Sequence, residues 1–149
     1  MTGSSRAQPF VPEAGHGRGV LVLAAGSDAL VRDAGMRLAR HGFVAYAPEL
    51  PAPSDGAPSD AERSAVDAGI ERLFNEHASD GARVAVIGVG RGGLLAQDAA
   101  ARGARVAVVV ALDADLDPQA LDPGLPDRYD AVAARVSWDA ALARLRAEL

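Results

Sequence analysis

Apolar residues along this chain come in two patterns. The runs GVLVLAA (19–25), FVAYAPEL (43–50), RVAVIG (83–88) and RVAVVVAL (105–112) are nearly continuous apolar stretches bounded by Gly, Pro or Asp, the pattern of strands covered on both faces. Between them apolar positions recur every three or four residues, which predicts helices from Asp28 to about Arg40, from Asp60 through His77, over GLLAQDAAARG (93–103) and over about 131–148. The expected apolar faces are Leu30, Val31, Met36 and Leu38 on the first, Val66, Ile70, Leu73, Phe74 and His77 on the second, and Val132, Val136, Trp138, Leu142 and Leu145 on the last. Asp28 or a neighbour caps the first helix and the His41-Gly42 pair stops it. PAPSDGAPSD (51–60) and DADLDPQALDPGLPDRYD (113–130) read as loops, residues 1–16 as a flexible tail, and 17–149 as one domain.

Strands alternating with helices imply right-handed crossovers and a sheet covered on both sides. The expected fold is therefore α/β, a small doubly wound, mainly parallel sheet of about four strands with flanking helices. Such sheets bind ligands beyond the carboxyl ends of their strands. That rule confines the candidates to Ala24 through Asp28, Glu49 and Leu50, Gly88 through Gly93, and Asp113 through Asp117.

Charge and composition narrow the chemistry. A net charge of −5 supplies no basic face for nucleic acid or an anionic membrane. There is no Cys, and all 15 cationic residues are Arg, so disulfides, a thiolate nucleophile and a lysine Schiff base are excluded. No apolar run approaches the roughly 20 residues of a membrane span, and MTGSSRAQPF lacks the apolar stretch of a signal peptide, so the expected location is the cytoplasm. DADLD (113–117) imitates the start of a calcium loop, but Pro118 and Gly124 stand where Gly and a bidentate Glu are needed. No metal or cofactor is expected.

The sequence RVAVIGVGRGGLLAQDAA fits two templates. Gly88, Gly90 and Gly93 satisfy GxGxxG, with Asp113 placed 20 residues after Gly93 where a ribose-binding acid belongs. Gly88 and Gly92 also frame a nucleophile elbow, GxSxG, whose central position is Gly90 and offers no nucleophile.

The stretch RDAGMRLARHGFVAYAPEL (32–50), after VLVLAA and before GVGRGG, resembles the dienelactone hydrolase family of α/β-hydrolases. Members carry an RD…RLA…G(Y/F)VA.APDL stretch and a GxCxGG elbow, and DRYDAVAARVSWDAALARLRAEL (127–149) is similar to the family's closing helix. The resemblance implies a reduced α/β-hydrolase core with its strands in the order 43–48, 19–25, 83–88, 105–112, and an ancestry in ester or lactone hydrolysis. It also implies where the catalytic groups are missing. The nucleophile position is Gly90, the acidic and histidine positions after the first strand fall near Ala24 and Ala25, and Pro123 or a neighbour occupies the place of the catalytic histidine. About 18 residues separate the fourth strand from the last helix, too few for the family's further strands.

His16, His41 and His77 each precede a strand and so belong at the amino end of the sheet. Ser27 lies at the carboxyl end, roughly 20 Å away across a strand, beyond reach of a general base. Ser27 and Asp28 read as a helix cap, and His41 and His77 as helix C-terminal residues. No catalytic residue is assigned. The candidate ligand-binding set is Gly88, Gly90, Arg91, Gly92 and Gly93 with Ser27, Glu49 and Asp113, where Arg91 either holds a small anion beside the helix amides or pairs with Glu49 or Asp113. The expected function is that of a truncated, non-catalytic relative acting by binding or association. Alternatives are a nucleotide-binding domain using the glycines at 88–93 and a hydrolase with a non-standard site. VAVVVAL, with no charge, Pro or bulge-forming Gly, is expected to be an edge strand that pairs with a second copy, giving a homodimer.

Overall fold

The computed structural model describes residues 8–24, 27–75, 79–103, 105–112 and 117–149. Five strands form one sheet: β1 (Pro9–Phe10), β2 (Gly17–Ala24), β3 (Val44–Tyr46), β4 (Ser79–Val89) and β5 (Val106–Ala111), in the order β1-β3-β2-β4-β5. All neighbours are parallel except β1 and β3, which pair Pro9 with Tyr46 and Phe10 with Ala45 in antiparallel register. The expected α/β architecture and strand order hold, with one strand more. Over the described residues 8–16 that strand corrects the reading of a tail: Phe10 packs on the core, and a Cβ on Gly35 would come within 2.2 Å of its ring.

Among the described residues the α-helices are α1 (Asp28–Arg40), α2 (Asp60–Asn75), α3 (Arg91–Ala101) and α4 (Ala131–Glu148). Strand side chains alternate between two cores. Val20, Val22, Ala85 and Ile87 face α1 and α4, whereas Leu21, Leu23, Val84 and Val86 face α2 and α3. Both sheet faces are thus covered, which is why the strands read as unbroken apolar runs. β3 ends at Tyr46, short of the predicted 50, because Pro48 and Pro51 cannot extend a ladder.

Two helix faces differ from expectation. α1 buries Leu30, Val31, Ala34, Gly35 and Leu38 and leaves Met36 42% exposed. α4 buries Ala134, Trp138, Ala141, Leu142 and Leu145, while Val132 and Val136 are 75% and 64% exposed. With 3.6 residues per turn, positions 132 and 136 project from the side of α4 opposite Trp138. The stretch before α4 is not all loop: Pro118–Leu121 forms a 3-10 turn capped by Asp117, and Leu121 is fully buried.

Candidate functional site

The turn after β4 takes its shape from three glycines. Gly90 has φ 62° and ψ −130°, a conformation costly for any residue with a Cβ, and it opens α3 without a side-chain cap. A Cβ on Gly92 would lie 1.6 Å from the Leu23 carbonyl oxygen, and one on Gly88 would lie 2.4 Å from the Gly93 nitrogen. A Cβ on Gly93 would touch nothing closer than the Ala111 methyl at 4.0 Å. The glycines that packing demands are therefore 88, 90 and 92, the spacing of a nucleophile elbow. In the dinucleotide fingerprint the third glycine makes the close helix–strand approach. Here Gly92 makes it, and Gly93 is sterically dispensable.

Arg91, next after the elbow apex, is turned into the protein. Its Nε donates to Glu62 Oε2 at 2.6 Å and its Nη2 to Glu62 Oε1 and Ser54 Oγ at 2.8 Å each; Nη1 donates to the Gly56 carbonyl at 3.0 Å. Glu62 is buried and also accepts from the Ser59 amide at 3.0 Å, while Ser59 Oγ accepts from the Glu62 amide at 3.1 Å. This reciprocal pair is a capping box that starts α2. The Arg91 hydrogen bond, followed by that of the Ser59 amide, holds the Glu62 carboxyl far below the usual carboxylate range against the opposing effect of burial. The expectation that Arg91 offers its fork to a ligand or pairs with Glu49 is thereby corrected, whereas its other expected partner, Asp113, lies outside the described residues. Its guanidinium clamps the 54–57 loop to the start of α2.

A second cluster forms where β2 runs into α1. Ser27 caps α1, accepting from the Leu30 amide at 3.3 Å. Its main-chain N–H donates to Asp122 Oδ2 at 2.9 Å, and its hydroxyl donates to Asp122 Oδ1. The Gly124 amide donates to the same Oδ1 at 2.9 Å. Burial pushes the Asp122 carboxyl up, but the three hydrogen bonds together outweigh it and leave the group below its ordinary value. Asp122 thus stands next to Pro123, where the resemblance would put a histidine.

The remaining candidates do not join these clusters. Glu49 is exposed and lines a shallow depression with Tyr46, Pro48 and Arg72. Asp113 and His77 lie outside the described residues. His16 pairs with Asp80 at 2.7 Å beside the start of β2, and His41 closes α1, where its Nδ1 meets Arg146 Nη2. Both sit at the amino end of the sheet. Among the described residues no group of three or more acidic or histidine side chains could hold a metal ion, and no helix is long and apolar enough to cross a membrane. Glu62 and Asp122 were not among the candidates. The first is signalled by Ser-x-x-Glu at 59–62, and the second by Asp-Pro-Gly at 122–124, where an Asx turn is expected. No protein-family model matches the chain, and no curated protein matches it by sequence.

Proposed function

We propose that this chain is a cytoplasmic, non-catalytic relative of the dienelactone hydrolases, an α/β-hydrolase-like domain that acts by binding or association. One observation carries the reading: the elbow backbone is kept, with Gly90 at φ 62° and ψ −130°, while its apex has no side chain to attack a substrate. The placement of His16 and His41 at the far end of the sheet supports it, because covalent hydrolysis also needs a base at the apex. The ligand class suited to the turn is a small anion held by the first amides of α3 and its positive dipole end, without the Arg91 guanidinium. The experiment is hydrolysis of nitrophenyl acetate and a dienelactone by the purified chain. The expected rate equals background, and Gly90→Ser does not raise it.

A second reading, a hydrolase with a non-standard site, is favoured by the hydrogen bond from the Ser27 hydroxyl to Asp122. It predicts ester turnover that Ser27→Ala abolishes. Against it, a carboxyl below its ordinary value is a weak base for a serine hydroxyl.

A further inference from the structure

The helix α4 is apolar on two sides. One side packs on the sheet around Trp138, and on the other Val132 is 75% and Val136 64% exposed, with the exposed Ala140 and Ala143 continuing the same side along the helix. The outward side of α1 is built differently, because Arg32 and Arg40 flank its exposed Met36. A helix with apolar residues all round is normally covered all round.

One rim of the outer face of α4 carries open charges. Arg135 and Asp139 are exposed and four residues apart, the spacing at which helix residues pair. At that spacing Arg37 closes on Asp33 at 2.9 Å, and Arg102 on Asp98 and Arg144 on Glu148 at 2.8 Å each. Arg135 and Asp139 do not close, and neither makes an ion pair or a side-chain hydrogen bond among the described residues. At the opposite rim Arg144 is turned to the sheet, where its Nη1 donates to the Val109 carbonyl at 2.8 Å.

We propose that the outer face of α4 pairs with the same face of a second copy, antiparallel about a two-fold axis at the level of Ser137. Rotation about an axis perpendicular to both helices leaves each rim on its own side, so the rim with Arg135 and Asp139 meets itself. Arg135 of each copy then stands level with Asp139 of the other, and Val132 and Val136 stand level with the Ala143 and Ala140 of the other, a large residue against a small one. A parallel copy would set the Arg135 rim against the Arg144 rim and align the two helix dipoles unfavourably. The unpaired charges and the valines thus select one occupant and one direction. This pairing is one form of the association proposed above, yet it depends on α4 alone: ester turnover above background would end that reading and leave the pairing in place.

Sedimentation velocity on the full chain across a concentration series tests it. One helix pair buries less than the roughly 1,000 Å² of a stable interface, so the wild type is expected to be a weak dimer, half formed at roughly 100 micromolar. Val136→Asp, at an exposed position, should leave the circular dichroism unchanged and weaken the dimer by about tenfold or more. Arg135→Glu and Asp139→Arg each set like charges level across the axis, and each should weaken self-association by about tenfold or more. Mixed in equal amounts, these two variants should recover a dimer of wild-type affinity, because every charge at the rim then meets its opposite in the other chain. A wild type still monomeric at about 1 mM, a dimer indifferent to Val136→Asp, or a mixture of the two charge variants that stays monomeric overturns the proposal.

Discussion

At the scale of single residues, the glycine turn separates two readings that the sequence pattern left open. Gly88, Gly90 and Gly93 spell a dinucleotide motif and Gly88, Gly90 and Gly92 an elbow, and a pattern of letters cannot say which glycines packing needs. The Leu23 carbonyl decides, because it occupies the place of a side chain at 92 and leaves 93 open. Gly92→Ala is therefore expected to destabilise the chain by about 3 kcal/mol or more, because backbone must move. Gly93→Ala should be neutral or add up to about 1 kcal/mol from helix propensity. Urea unfolding of the two variants checks the contrast, and equal losses would return the motif to the nucleotide reading. Ser27→Ala belongs to the same scale. It removes a helix cap and a donor to Asp122, and a loss of about 1 kcal/mol is expected from the cap alone.

Between elements, the contacts that matter join parts far apart in sequence. Arg91 and Glu62 are 29 residues apart, and Ser27 and Asp122 are 95 apart. Neither pair announces itself as a pair, although the capping box at 59–62 marks Glu62 as a residue with a task. The strands were legible because burial on both faces leaves an unbroken apolar run. The orientation of α4 was not, because Val and Ala occur all round that helix and the spacing of 132 and 136 was read onto the wrong face. The short β1 was also missed: two residues are too few to show a period. The Arg91 clamp makes its own prediction. Arg91→Ala leaves the Glu62 carboxylate buried without its partner, so it should lower the melting temperature far more than Arg144→Ala, which removes an exposed pair. It should also open residues 54–57 to limited proteolysis. An unaltered cleavage pattern would mean that the loop holds its place without the clamp.

For the molecule as a whole, three carboxylates among the described residues are expected to set the acid limit. Glu62, Asp98 and Asp122 lie below their ordinary values, Asp98 chiefly through its hydrogen bond from Arg63. A carboxyl depressed on folding binds its proton more readily in the unfolded chain, so its contribution is complete above the ordinary value and is lost as pH falls through the folded one. Stability should hold down to the ordinary 4.5 of Glu62 and 3.8 of the two aspartates and then decline steadily, as acid titration at fixed urea would record. Loss of stability already near pH 6 would mean that these three carboxylates do not set the limit. The burial of Trp138 provides a way to watch this. It is the chain's one tryptophan, fully buried, with its indole nitrogen unpartnered among the described residues and the Arg37 guanidinium 5.9 Å from the ring centroid. An indole without a hydrogen-bond partner or water around it emits at short wavelength, and its fluorescence shifts red when α4 lifts from the sheet. The chain thus contains a single intrinsic optical probe of α4 docking, the helix that also carries Arg144.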